Sequence, residues 1–187
     1  MTHPAIDTRQ KLVLGALAEF NDHGYFGTDS NKIAKRSGFA PQTFYRWFPD
    51  KKAVFLAAYA FWWQSEVTEL GAMLAQQATP RALAEAIVAH HRLHVRFRRS
   101  LRFLTTEDED VRAARAAGRL AQLDRMAAIG RQKDRSVLAG QLLMIERWCD
   151  ALADGEFSDL GVSDVEALDM IAQALDGVLT TGDHSAS

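Results

Sequence analysis

The chain is nearly without cysteine: Cys149 is the single one among 187 residues. One thiol excludes an intrachain disulfide framework and fits a reducing, cytoplasmic setting. A long hydrophobic run is missing too. The apolar stretch from Phe55 to Trp63 falls well short of the roughly 20 residues a bilayer-spanning helix needs, and Gln64 and Glu66 follow it at once, so no membrane partner is expected. No basic segment with an apolar one behind it opens the chain, which excludes a secretory signal pattern. There is no internal repeat, no low-complexity tract and no strand-like alternation of useful length. What remains is an ordinary composition, 48% hydrophobic and 25% charged, on a chain long enough to bury a core.

Excess charge is also lacking. The net charge of −2 argues against a wholly basic nucleic-acid binder, yet the average hides a gradient. Residues 1–54 hold eight Lys/Arg against five Asp/Glu, 8 − 5 = +3, whereas residues 146–187 hold one Arg against ten Asp/Glu, 1 − 10 = −9. A basic beginning suits phosphates, and an acidic end stays off them.

Helical periodicity runs through the chain. Residues 1–6 read as a loose arm. Asp7 or Thr8 caps a first helix with Leu12, Val13, Ala16, Leu17 and Phe20 on one side, and Gly24 ends it. Thr28 or Asp29 caps a second helix. Ser37-Gly38-Phe39-Ala40 reads as a turn in which Gly38 takes a positive φ, and Pro41 starts a short third helix ending near Phe48. Phe44 and Phe48, four apart, face inward. Gln42, Thr43, Tyr45 and Arg46 are left to offer an amide, two hydroxyls and a guanidinium, the groups that read base edges and hold phosphates. Two helices joined by a short turn containing Gly form a helix-turn-helix, whose second helix lies in the DNA major groove.

From Thr8 to about Tyr59 the chain resembles the DNA-binding domain of the tetracycline-repressor (TetR) family of bacterial regulators. The resemblance rests on Ala16 and Phe20, Gly24-Tyr25, Thr28, Ile33-Ala34, Gly38, Thr43-Phe44-Tyr45, Phe48 and Lys51. It departs from the family pattern at Asp29, Ala40, Gln42 and Trp47. It implies a double-stranded DNA operator as partner, with Thr28, Gln42, Thr43, Tyr45, Arg46 and Lys51 as the contacting residues. Tyr45 and Lys51 would grip the backbone, Lys51 from the first turn of a fourth helix capped by Asp50.

The rest of the chain predicts a larger helical part. Helix four runs from Lys51 to about Leu74 and is apolar on two sides. Helix five starts at Thr79-Pro80 and continues to about Leu104. A capping box at Thr106–Glu109 opens a short helix six that Gly118 breaks, and helix seven spans Arg119 to Ile129. An acidic loop separates two long helices, the second opened by a capping box at Ser163–Glu166. The expected architecture is all-α with about nine helices. Residues 1–52 form a three-helix, helix-turn-helix DNA-binding domain, and residues 53–187 a ligand-binding and dimerisation domain.

Trp62, Trp63, Phe97, Phe103 and Trp148 are candidates to line a cavity for an unknown small-molecule ligand. The same aromatics at helical spacing also read as core. Leu138, Leu142, Ile145, Cys149, Leu168, Ile171 and Leu175 form stripes on the last two helices that either close the core or, as the resemblance implies, build a homodimer interface. His90, His91 and His94 have spacing that can bind a transition metal, and this is the alternative reading of the chain as a metal-binding or catalytic helical protein. The glutamate of an HExxH motif is absent and no His–Cys pairing is visible, so no catalytic residue, metal or other cofactor is expected. The function so predicted is a repressor released from a palindromic operator by a ligand.

Overall fold

The computed structural model of the chain describes residues 7–130 and 133–180. The arm read at residues 1–6 lies outside them. Among the described residues there are ten α-helices and no strand. They are α1 (Thr8–His23), α2 (Ser30–Arg36), α3 (Pro41–Trp47), α4 (Lys51–Ala75), α5 (Pro80–Leu93), α6 (Val95–Glu107), α7 (Glu109–Ile129), α8 (Arg135–Asp154), α9 (Glu156–Asp159) and α10 (Asp164–Thr180). No helix among the described residues is long and apolar enough to cross a membrane.

Two compact units form. The first takes residues up to Ser65 together with Arg96–Arg112, so it contains α1 to α3, the first part of α4 and most of α6. Its core is aromatic. Phe20 and Phe55 meet edge to face at 5.1 Å, Phe55 lies 5.2 Å from Phe97, and Phe97 lies 6.2 Å from Trp62. Such pairs add specific geometry to the area they bury. α1 and α2 approach closely at Gly15, where a Cβ would stand 2.1 Å from the Ser37 hydroxyl oxygen. Gly38 has the expected positive φ, +80°, in the turn between α2 and α3.

The second unit takes Glu66–Val95 and the residues from Ala113 onward. In it α5, α8 and α10 pack on one another around Val88, Leu138, Leu142, Ile145, Cys149 and Ile171. α5 begins at its cap Thr79, whose hydroxyl accepts from the N–H of Ala82, with Pro80 at the first position. α10 begins in the capping box foreseen: the Ser163 hydroxyl and N–H both donate to Glu166, and the Glu166 N–H donates to the Ser163 hydroxyl.

Several boundaries differ from those expected. The helix expected over 79–104 is broken at His94, which caps α5 and has its Nδ1 3.1 Å from the carbonyl oxygen of His90. Thr106 opens no helix: its hydroxyl donates back to Phe103, and Asp108 instead caps α7 by accepting from the N–H groups of Asp110 and Val111. Gly118 does not break α7, because a helical glycine costs only about 1 kcal/mol, which flanking contacts outweigh. The acidic loop contains the short α9.

The stripes on the last two helices serve the core in large part. Leu138, Leu142, Ile145, Cys149 and Ile171 are buried in the core of the second unit, and Leu168 and Leu175 pack against it. The apolar surface of the first five is used within one chain, while Leu168 and Leu175 stay partly exposed. The apolar residues that α8 and α10 leave exposed are Val137, Leu143, Met144, Val165 and Met170.

The burial of Ile171, 0% exposed, gives a direct check on this packing. Ile171→Ala should lower the free energy of unfolding by about 2–5 kcal/mol, measured by urea denaturation. Met170→Ala, one residue away on the exposed side, should change it by less than about 1 kcal/mol in the monomer.

Candidate functional site

The candidate site is built from α2 and α3. Asp29 caps α2 by accepting from the Lys32 N–H at 2.9 Å, and Ile33 and Ala34 turn inward at 0% exposure. α3 has no side-chain cap, since Ala40 stands where one would act, and Pro41 opens it. Phe44 and Phe48 are buried as their spacing requires, with ring centroids 5.8 Å apart. That leaves Gln42, Tyr45 and Arg46 exposed and Thr43 partly so. The Tyr45 hydroxyl is 2.7 Å from the hydroxyl of Ser30, the first residue of α2. An amide, two hydroxyls and a guanidinium thus stand on one short helix anchored by two phenylalanines.

Thr28 and Lys51 are placed differently from Gln42 and Arg46. Thr28 is buried, and its hydroxyl donates to the backbone carbonyl of Glu19. The Lys51 ammonium donates to the carbonyl oxygens of Tyr25 at 2.8 Å and Thr28 at 2.9 Å, and it stands over the Tyr25 ring 4.1 Å from its centroid. Burial pushes the Lys51 pKa below the ordinary lysine value, and the charge of Asp29 only partly offsets this. Both side chains were expected to face DNA; here the Thr28 hydroxyl is turned onto α1 and the Lys51 ammonium onto the α1–α2 turn.

The aromatic residues expected to line a cavity do different things. Trp62 and Phe97 are core residues of the first unit, and the buried guanidinium of Arg98 lies 4.7 Å from the Trp62 ring centroid. Trp63 is half-buried. Phe103 is 50% exposed and packs edge-on against Phe26. Trp148 is half-buried against the core of the second unit.

The histidines do not converge either. His90 and His94 have ring centroids 5.2 Å apart, and burial lowers the pKa of His94. His91 is buried and lies between two carboxylates, with Nδ1 3.0 Å from Asp150 and Nε2 3.4 Å from Glu66. Among the described residues, the ligand atoms that gather within 4.8 Å of one another are those of Glu19, Asp22 and His23. There the guanidinium of Arg36 already sits 2.9 Å from Glu19 and 2.7 Å from Asp22, supplying the positive charge an ion would bring.

Sequence reasoning missed the polar layer inside the second unit. Glu66, His91, Asp150 and Arg115 are all buried. Glu146, one turn before Asp150 on α8, pairs with Arg115 at 3.0 Å and Arg119 at 2.6 Å. These residues come from α4, α5, α7 and α8. Nothing in the sequence distinguishes them from charges on a solvated face. The one usable sign is that Glu146 and Asp150 interrupt an otherwise apolar side of α8.

Comparison with known proteins agrees with this geometry. Residues 12–58 match the family profile described as bacterial regulatory proteins, tetR family. No curated protein sequence matches the chain. Among solved structures, a candidate TetR-family transcriptional regulator from Rhodococcus sp. superposes with a TM-score of 0.70 at 16% identity, over 91% of this chain and 97% of that one. A candidate transcriptional regulator from Saccharomonospora viridis, in complex with choline, gives a TM-score of 0.64 at 18% identity, over 90% and 93% of the two chains. Thermus thermophilus FadR, a TetR-family transcriptional repressor in complex with lauroyl-CoA, gives 0.57 at 19% identity, over 96% and 98%. Residues 12–58 thus match the TetR-family domain profile, and the chain has the fold that these solved structures share.

The polar layer yields a stability prediction. Glu146→Gln removes the carboxylate charge that faces the guanidinium of Arg115, a side chain only 7% exposed. Breaking such a pair from one side should cost about 3 kcal/mol, read as a lowered urea midpoint with an unchanged denaturant slope.

Proposed function

We propose that the protein is a sequence-specific DNA-binding transcriptional regulator, a repressor released from a palindromic operator by a small-molecule ligand. The observation that carries this reading is α3 itself, with Phe44 and Phe48 buried while Gln42, Tyr45 and Arg46 stand exposed on a match to the TetR family. Gln42, Thr43 and Arg46 read base edges and Tyr45 holds the backbone.

One short helix reads few bases. A two-fold dimer doubles the contacts and sets its half-sites about 34–36 Å apart or a multiple of one helical turn. The partner copy is met through the apolar residues that α8 and α10 leave exposed, Val137, Leu143, Met144 and Met170, with Leu168 and Leu175 of the expected stripes half-exposed beside them.

Ligand control is supported by two structural neighbours that hold small molecules, choline in one and lauroyl-CoA in the other. It is supported too by the charged layer of Glu66, His91, Asp150, Arg115 and Glu146 inside the second unit. Burying charge adds little stability, and such groups are better suited to specificity. The ligand acts by binding more tightly to a dimer geometry that no longer matches the operator. The rival reading of a histidine metal site is disfavoured by His91, whose two ring nitrogens face carboxylates.

Genomic-fragment selection with the purified protein should recover a short inverted repeat bound with a steep salt dependence. Arg46→Ala should then weaken binding to that fragment about tenfold or more, a bidentate base contact being worth about 1–3 kcal/mol, and Gln42→Ala should relax preference at one position of each half-site. Weak binding with no enriched sequence would overturn the operator reading.

A further inference from the structure

Residues 1–54 carry eight Lys/Arg, and the structure separates them by what their side chains touch. Four hold protein groups. Lys32 donates to the carbonyl of Gly27 at 2.8 Å, and Arg36 pairs with Glu19 and Asp22. Lys51 donates to the carbonyls of Tyr25 and Thr28 and keeps a third N–H donor, while Lys52 pairs with Asp108 and Asp110. The other four, Arg9, Lys11, Lys35 and Arg46, are exposed and have no side-chain hydrogen bond or ion pair among the described residues.

One of these four is nevertheless held in place. The Arg9 guanidinium lies over the ring of Phe48, 5.2 Å from its centroid. Phe48 is 3% exposed and ends α3, its N–H donating to the carbonyl of Phe44. Arg9 is the second residue of α1, so this contact brings a cation from the start of α1 to the end of the helix that carries Gln42 and Arg46. Asp7, two residues earlier, does not neutralise it: as the cap of α1, its carboxylate accepts from the Gln10 N–H at 2.7 Å.

A guanidinium over an aromatic face is attracted by the ring and fixed in orientation. Its N–H groups lie in its own plane and form a fork that matches a phosphate. The ring takes none of them as hydrogen-bond donors to oxygen, so the fork stays available. Immobilising a long side chain is part of the cost of binding, and here that ordering precedes the arrival of DNA. No described contact orders the Lys11 or Lys35 ammonium in this way.

We propose that Arg9 is a further phosphate-binding residue of this site: Phe48 holds its guanidinium beside the end of α3, and the N–H fork takes a backbone phosphate of the operator duplex. The inference rests on the reading of α3 as the DNA-reading helix and adds a contact from α1 to it.

The test titrates the full chain onto the selected operator fragment and onto a scrambled duplex of equal length, each at several salt concentrations. Arg9→Gln should weaken binding about tenfold or more, because a hydrogen bond between charged groups is lost. The factor should be the same on both duplexes, since a phosphate contact carries no base information. The slope of log affinity against log salt should fall in magnitude by about 2, one phosphate contact from each subunit of a dimer. Arg9→Lys keeps the charge and should recover most of that slope. An unchanged slope in Arg9→Gln overturns the proposal. So does a loss confined to the operator fragment, the outcome for a residue that only orients α3. A wild type that binds no duplex at all would overturn the regulator reading, and this assignment with it.

Discussion

The Lys51 ammonium ties the α1–α2 turn to the start of α4 by donating to the carbonyls of Tyr25 and Thr28. The geometry downstream is built on that contact. With Thr28 held, Asp29 is placed to cap α2, and Ser30 is placed to meet Tyr45. With Tyr25 held, its ring lies 5.8 Å from Phe20 and 5.2 Å from Phe55. The polar requirement of one turn and the apolar requirement of the core are thus met by neighbouring atoms, so the short helices α2 and α3, too brief to be stable alone, inherit a fixed orientation.

What could be read in advance follows from this. Phe44 and Phe48 had to be buried and Gln42, Tyr45 and Arg46 exposed, since a seven-residue helix has one inward face and the phenylalanines claim it. Gly38 had to take a positive φ, because the chain turns sharply just after α2 ends. Caps at Thr79 and Ser163 were legible, and those at Asp7 and Asp29 to within one residue, because a capping side chain acts within three residues of itself. What could not be read were choices made over long sequence separations. Lys51 reaches 26 residues back to Tyr25, and no local pattern separates a seated ammonium from one free to meet a phosphate.

The boundary differences have the same origin. His94 ends α5 without glycine or proline, so the sequence over 79–104 looks continuous. Gly118 looks like a breaker but is tolerated in α7. Thr106 and Glu109 have the spacing of a capping box, yet Asp108 competes for the same free N–H groups and wins, its carboxyl held below the ordinary range first of all by the hydrogen bond from the Val111 N–H. The apolar stripes of α8 and α10 have a period that serves a core or an interface equally well. Only the packing of α5 against both helices decides that Leu138, Ile145 and Ile171 belong to the core.

The two units differ in the kind of interior they build, and this bears on where a signal can act. The first unit closes over aromatic rings, an interior that resists small shifts because close-packed rings have few alternative arrangements. The second buries charges on α4, α5, α7 and α8. Glu146 is shared by Arg115 and Arg119, while His91 is shared by Asp150 and Glu66. Each of these groups thus has two partners within reach. An interior of this kind can be bistable at small energetic cost, which a differential ligand requires. In this chain most of the buried charges lie in that second unit: Glu66, His91, Arg115 and Asp150, against Glu19 and Arg98 in the first.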